Sequence, residues 1–280
     1  MKTLITTADD FGISPAVNEA VGRAYREGVL RHASLMVAED SAAAAVALAK
    51  DSCRGLQLGL HLVSCAGRSV LGSAKLGRLV DASGRFDPDP VACGLRYFFD
   101  RELSGPLEAE LRAQFERFLS FGLEPGHVDG HVNVHVHPVV FPMAVRLAKE
   151  YGFERVRLPG GELPSSLSYS GRRWPKQVVE STVFGLLRAY LRRTCADGRV
   201  AVADRTFGLL RSGLMSEGYL LHALERLPEG TTELYFHPSA DPASAAKDEP
   251  RPGHHTITEL EALLSPRVRR KIEELRIDLA

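Results

Sequence analysis

Apolar and polar positions follow two periods along the chain. Leu4 to Ala8 is a short apolar run of the kind a buried strand uses, and Asp9-Asp10-Phe11-Gly12 follows it. Ser14 and Pro15 form an N-cap and first-turn pair, and Val17, Ala20, Val21, Ala24 and Tyr25 then recur at helical spacing until Gly28. Ala33 to Ala38 predicts a second strand, Ser41 to Lys50 an alanine-rich helix, and Leu56 to Val63 a third strand with His61 near its end. This alternation implies a parallel sheet with helical crossovers. From Ser64 to Pro90 the periodicity is lost among Gly67, Gly72, Gly77, Gly84, Pro88 and Pro90, with Leu79-Val80 and Phe86 as apolar anchors. A connection of that length inside a compact domain usually has a function.

Leu107 to Phe121 resumes a helix, with Leu107, Leu111, Phe115, Phe118 and Leu119 on one face. In Gly126-His-Val-Asp-Gly-His-Val-Asn-Val-His-Val-His-Pro138 the odd positions carry His127, Asp129, His131, Asn133, His135 and His137. The even positions carry Val128, Gly130, Val132, Val134 and Val136. A period of two means one polar and one apolar strand face. Residues 127 to 137 fully extended would span roughly 33 Å, too long for one ordinary strand. The strand is therefore expected over 127 to 131, with His131 at its end, Asp129 deeper on the same face and His135 returning from the next loop. His127 and His137 are expected to matter least.

Val139 to Tyr151 predicts a helix ended by Gly152, and Val156 to Leu158 a strand running into Pro159-Gly160-Gly161. Residues 160 to 178 read as irregular. Val179 to Arg193 reads as a helix with Val183, Phe184, Leu187, Tyr190 and Leu191 on its apolar face and Arg188, Arg192 and Arg193 on a solvated one. Val200 to Ala203 and Phe207 to Leu210 are strand candidates, Ser216 to Leu227 a helix, and Leu234-Tyr-Phe a strand entering His237-Pro238. A polar loop follows, including His254-His255 as surface residues, and Ile257 to Leu275 reads as a helical pair broken at Pro266. With no repeat, low-complexity tract or linker, residues 1 to 280 are read as one domain.

Composition narrows the classes. Lys+Arg and Asp+Glu balance at 35 each, which argues against a broad basic face and a nucleic-acid partner. Cys53, Cys65, Cys93 and Cys195 are scattered without a C-x-x-C pair, which suits a reducing compartment. The N-terminal apolar run is too short for a signal peptide, and no apolar stretch is long enough for a transmembrane helix. The cytoplasm is the expected location, with the inner membrane face left open. A homodimer is left open too.

The candidate chemistry lies at strand ends. Asp9-Asp10, His61, the 127–137 histidines and His237 each follow or close a predicted strand, and that edge of a parallel sheet is where sites are built. Clustered Asp and His there suggest a metal site. Each also has a plainer reading: Asp9-Asp10 as turn residues, although Ser14 is better placed to cap the helix, and His61 and His237 as hydrogen-bonded core histidines. Adjacent strand-end residues are expected to point in opposite directions, so one aspartate would bind metal while the other handles a proton.

Ala8-Asp-Asp-Phe-Gly-Ile-Ser14, Gly59-Leu-His-Leu62, Asp129-Gly-His-Val-Asn-Val-His135 and Phe236-His-Pro238 together resemble the YdjC-type carbohydrate deacetylases, which include the chitooligosaccharide deacetylases. The motifs run in the family's order from the N-terminus to about residue 240. Where the family usually has histidines this chain has Val132 and Asn133, and Gly130 stands in place of serine. These departures, with Phe207-Gly-Leu-Leu-Arg-Ser-Gly213, look similar to the branch associated with hopanoid biosynthesis. The resemblance implies an α/β fold, a distorted TIM-like (β/α) barrel, and hydrolysis of an N-acetyl group on a sugar. By motif position it implies Asp10, His61 and His131 as ligands of one divalent ion, zinc or magnesium. It likewise implies Asp9 as general base and His237 near the leaving group. Asp129 and His135 match motif positions and are read as contacting substrate or supporting a ligand.

The leading expectation is a metal-dependent N-deacetylase of an N-acetylglucosamine-type sugar or glycolipid, a hopanoid glycolipid among them. The alternatives are a metal-dependent phosphoesterase on the same barrel rim and a non-catalytic sugar- or lipid-binding protein. Loss of Asp9 would have signalled the last, and Asp9 is present.

Overall fold

The alternating pattern folds into one curled parallel sheet in a computed structural model, which describes residues 1–241 and 256–280. His254 and His255 lie outside the described residues. The strands are β1 (Lys2–Phe11), β2 (His32–Leu35), β3 (Gln57–Leu62), β4 (His127–Gly130), β5 (Arg155–Val156), β6 (Arg205–Phe207), β7 (Gly230–Phe236) and β8 (Asp278–Leu279). Their order is β5-β4-β3-β2-β1-β7-β6, and every neighbouring pair is parallel. β8 pairs with β1 at Thr3 and Leu4, below the level at which β2 begins beside Thr7. Gly160, just beyond β5, exchanges two backbone hydrogen bonds with Thr206 of β6, at 3.3 and 2.9 Å. The two ends of the sheet therefore meet, and the fold is the distorted TIM-like α/β barrel that the resemblance implied.

Helices cover the outside: α1 (Pro15–Glu27), α2 (Ala42–Ser52), the single turn α3 (Ser73–Leu76), α4 (Pro90–Phe99), α5 (Ser104–Ser120), α6 (Val140–Glu150), α7 (Leu163–Tyr169), α8 (Trp174–Leu191) and α9 (Glu217–Glu225). Thr256–Leu264 and Pro266–Glu274 form the expected pair broken at Pro266. α1 starts where its cap and proline predict, with the Ser14 hydroxyl accepting from the Val17 amide, and it buries Val17, Ala20, Val21 and Ala24.

Several boundaries differ from expectation. Residues 160–178 are not irregular: α7 lies there, and α8 begins at Trp174 rather than Val179. Pro164 and Pro175 sit in the first turns of those helices, where proline starts a helix rather than breaking it. Pro90 starts α4 in the same way, with the Asp89 carboxylate accepting from the Val91 and Ala92 amides. The strand expected at Phe207–Leu210 is instead Arg205–Phe207, ended by Gly208 at φ +126°. Of Val200–Ala203, only Ala201 bridges to a strand, at Arg155. The long connection after β3 is fastened rather than loose. Buried Glu110 of α5 accepts from the Val70 and Leu71 amides at 2.8 and 2.9 Å, and Glu39 accepts from the Arg68 amide at 2.8 Å.

α8 corrects the expected faces most. Leu191 is buried and Phe184 and Leu187 pack on the core, but Val183 and Tyr190 are 49% and 59% exposed. Arg188 is not solvated: its guanidinium donates to the carbonyls of Leu158, Ala203 and Asp204 and clamps the helix over the sheet closure.

Gly59 of β3 marks the tightest packing beneath the site. A Cβ there would lie 2.4 Å from the ring of His127 on the neighbouring strand. Gly59→Ala is expected to destabilise the protein by about 1–3 kcal/mol in urea unfolding, as overpacked cores do. Gly185→Ala, whose new Cβ meets nothing within 4 Å, is expected to be neutral or stabilising. In Gly59→Ala/His127→Ala the clash has no partner, so the pair should cost less than the sum of its single changes.

Candidate active site

Alternation along β1 sends Thr7 and Asp9 toward the barrel interior and should send Asp10 away. Asp10 instead has φ +62°, and the pairing of β1 with β2 shifts register between Ala8 and Phe11. Left-handed backbone is uncommon outside glycine, although aspartate tolerates it better than most residues. The result corrects the expectation of opposed aspartates, because both carboxylates enter one buried cluster. The turn is held from outside: the Gly12 amide donates to Asn18 Oδ1 at 2.8 Å, and Asn18 Nδ2 donates to the Ser41 carbonyl at 3.1 Å.

β4 ends at Gly130, and Val132 and Asn133 take φ of +48° and +57°, which breaks the strand where the length argument required. His131 is thereby left facing Asp10, its Nδ1 2.7 Å from Oδ1. His61 Nε2, from β3, lies 3.1 Å from the same oxygen. Its other nitrogen, Nδ1, lies 2.7 Å from Asp129 Oδ1. Ser34 on β2 donates to Asp129 Oδ2 at 2.6 Å, and His127 Nε2 is 3.0 Å from the same hydroxyl. His127 is thus a buried support, held well below its usual pKa by burial. His135 Nε2 lies 3.1 Å from the Arg157 carbonyl. Burial pushes the His135 pKa down to about 4, so a neutral ring donates there. His137 is apart from the cluster, edge-on to Tyr97 and Phe98.

The residue that ties the cluster together was not expected. Arg157, the position after β5, is 2% exposed. Its Nη1 and Nη2 donate to the two oxygens of Asp9 at 2.6 and 2.8 Å, and Nη2 also lies 2.8 Å from Asp129 Oδ2. Its Nε donates to Glu233 Oε1 at 3.0 Å, and Thr7 Oγ1 donates to that oxygen at the same distance. The guanidinium sits 4.4 Å from the centre of the Tyr235 ring. Asn133 Nδ2 donates to the Tyr235 hydroxyl at 3.2 Å. The available signal was a charged residue between Val156 and Leu158 in a predicted buried strand, and likewise Glu233 before Leu234.

His237 closes β7 beside this group, with Nε2 3.9 Å from Asp9 Oδ2. Its amide donates to Glu259 Oε2 at 2.6 Å, and Glu259 Oε1 accepts from the Met215 amide at 3.0 Å. The His237 side chain is 10% exposed against 4% for Asp9, so it stands on the solvent side of the carboxylate.

Charge and geometry both fit a cation. Ligand atoms of Asp10, His61 and His131 all lie within 4.8 Å of one another. Asp9, Asp10, Asp129 and Glu233 are all buried, and among the described residues Arg157 is the one arginine paired with any of them. Burial opposes charge on His61, yet Asp129, Asp10 and Asp9 outweigh it and raise the imidazole to about 10. The cluster thus attracts positive charge at the position where the three ligand atoms converge. Asp129 on His61 Nδ1 is the carboxylate–histidine arrangement that orients a metal-ligating ring. A second set, Asp9, His61 and Asp129, also converges, but Arg157 already occupies both of its carboxylates. The two aspartates that share Arg157 differ. Burial pushes Asp9 up to about 7 against the pull of Arg157. Burial also opposes ionisation of Asp129, but Arg157 and His61 overcome it and hold that carboxyl far below its usual range.

With this geometry established, the chain can be set beside known proteins. It is 38% identical to a carbohydrate deacetylase of Clostridium beijerinckii over 150 residues, 53% of this chain and 57% of that protein. It is 42% identical to one of Geobacillus stearothermophilus over 156 residues, 55% of this chain and 57% of the relative. The chain thus spans little more than half the length of these relatives. A carbohydrate deacetylase of Thermoanaerobacter pseudethanolicus aligns over 239 residues at 27% identity, covering 85% of this chain and 82% of the relative. A crystal structure from Enterococcus faecalis V583, provisionally described as a cellobiose-phosphate cleavage protein, superposes with a TM-score of 0.76 at 24% identity. It covers 100% of this chain and 97% of its own, a likeness of fold. The model of the family described as YdjC-like protein matches residues 3–274. The chain belongs to the YdjC-like protein family.

Proposed function

We propose that the protein is a metal-dependent carbohydrate deacetylase that removes the N-acetyl group from an N-acetylglucosamine-type sugar. The observation that carries this reading is the convergence of Asp10, His61 and His131 beside an arginine-held Asp9, with His237 on the solvent side. The deacetylases among its relatives support the substrate class. Asp10, His61 and His131 would hold one divalent ion, and their two nitrogens and one oxygen favour zinc over magnesium. Such an ion would supply Lewis acidity toward the acetyl carbonyl and lower the pKa of the attacking water.

The chain's own residues handle the protons and the alignment. Asp9 takes the proton of the attacking water at Oδ2, the oxygen nearer His237. Arg157 keeps Asp9 in one orientation through two hydrogen bonds. Asp129 fixes the His61 ring, and His135 secures the Arg157 backbone. His237 gives its proton to the departing nitrogen as the carbon–nitrogen bond breaks. Water adds to the acetyl carbon, and the products are acetate and the free amino sugar. The narrower reading, a hopanoid-type glycolipid substrate, rests on Gly130, Val132, Asn133 and the Phe207–Gly213 segment. Phosphoester hydrolysis at a paired-ion site is disfavoured because Arg157 takes up both carboxylates of the second ligand set.

Acetate release from N-acetylglucosamine oligomers and glycolipids is expected to stop on chelation and return with added zinc. Asp10→Ala and His131→Ala should lose both metal, by elemental analysis, and acetate release; turnover persisting in either overturns the reading. Two bound ions per chain would favour the phosphoesterase instead.

Asp9→Asn is expected to lower kcat roughly 10²–10⁴-fold, the range for loss of a general base, while metal content stays unchanged. Asp129→Asn should act differently, weakening metal affinity about 10–100-fold as the loss of a ligand-orienting carboxylate does. Equilibrium dialysis against zinc, run beside the acetate assay, separates the two effects.

A further inference from the structure

The outer face of α8 is apolar, uncovered and ringed by positive charge. Val179, Val183, Leu186 and Tyr190 are 61%, 49%, 69% and 59% exposed. Their spacing of four, three and four residues puts them on one stripe of the helix. The same spacing carried one step outward at each end reaches Lys176 and Arg193, both exposed. Arg172, Arg173 and Arg192 add further exposed cations, and Trp174 stands exposed at the first turn. The acid of this segment, Glu180, pairs with Lys176 at 3.4 Å. The opposite side of the helix is fully engaged: Leu191, Phe184 and Leu187 pack on the core, and Arg188 is bound to three backbone carbonyls. Exposed leucine, valine and aromatic residues here have no role in packing the barrel.

The chemistry of the stripe selects its occupant. Pairing with a second copy of α8 sets Lys176 against Arg193 if the helices run antiparallel, and each cation against itself if they run parallel. Either arrangement places like charges at both ends of an apolar seam. An anionic lipid surface satisfies both features at once, since apolar side chains enter the headgroup boundary while lysine and arginine reach the phosphates. No helix among the described residues is long and apolar enough to cross a membrane, so contact would be along the surface. We propose that α8 docks the protein on anionic membranes, its Val179–Tyr190 stripe lying in the interface between Lys176 and Arg193. This inference does not depend on the deacetylase reading, because the stripe shares no residue with the cluster of Asp10, His61 and His131.

The test is cosedimentation of the full chain with vesicles of phosphatidylcholine alone and of phosphatidylcholine with about one-third phosphatidylglycerol. Binding is expected only to the anionic vesicles, at least about tenfold above the neutral ones, and weakening as salt screens the charges. Leu186→Glu and Val183→Glu should each abolish it, and Lys176→Glu/Arg193→Glu should reduce it several-fold, all with unchanged circular dichroism and metal content. Equal binding of the Leu186→Glu protein, or no pelleting with either vesicle, overturns the proposal. So does a dimer by analytical ultracentrifugation that Leu186→Glu converts to monomer, because the stripe would then belong to a second copy.

Discussion

A guanidinium sealed from water and shared among three carboxylates is the constraint on which this barrel depends. Arg157 meets Asp9 from β1, Asp129 from β4 and Glu233 from β7, and lies over Tyr235 of β7. Burying any of these carboxylates without a partner would be prohibitive, and removing one partner of a buried pair typically costs about 3–5 kcal/mol. β1 and β7 are neighbours in the sheet order, but β4 lies three strands away from β1. One side chain thus fixes how far the curled sheet can open, and the backbone bonds between Gly160 and Thr206 complete the closure from the same segment.

The arginine also divides labour between two acids of the same type. Asp129 accepts from Ser34 and lies against His61 as well as Arg157, so both of its oxygens are engaged by partners that favour its ionised form. Asp9 has Arg157 on both oxygens but lies deep beside the negative charge of Asp129, and burial leaves it near 7. Pairs of titratable groups pushed apart by their surroundings are how acid and base roles become assigned. The permanently charged one orients a ring, and the one poised near neutrality can exchange a proton.

Much of this was legible in the sequence, and the rest was hidden for identifiable reasons. The strand–helix alternation, the cap at Ser14 and the end of the β4 strand near His131 follow from periodicity and length. Asp9, Asp10, His61, His131 and Asp129 announce themselves because charged or imidazole side chains at apolar strand ends need explanation. Arg157 and Glu233 carry the same signal more faintly, one charge each within very short apolar runs, and their meeting depends on closure of the sheet, which no local pattern encodes. Asp10 was misjudged in direction because alternation assumes extended backbone, and its φ of +62° abandons that. α7 and the first turn of α8 escape the pattern because residues 160–178 are rich in serine and glycine and read as irregular, while Pro164 and Pro175 stand in first turns, where proline starts a helix. α8 departs from its expected faces because apolar residues at helical spacing predict one buried stripe, and this helix is apolar on two sides.

Strand register converts these separate residues into one site. His61 lies level with Asp129 across the β3–β4 pair, and Ser34 lies level with Gly59 across β2–β3. Ser34 can therefore reach over Gly59, which has no side chain in the way, to both Asp129 and His127. A slip of one residue in any of these pairs would turn a whole row of side chains to the opposite face. His61 would then exchange the carboxylate for the apolar layer outside. The apolar residues between the polar ones, Leu58, Leu60 and Leu62 on β3 and Val128 on β4, are all buried and resist that slip. The apolar half of the alternation thus holds the polar half in register, so a pattern of period two specifies the site as well as the strand.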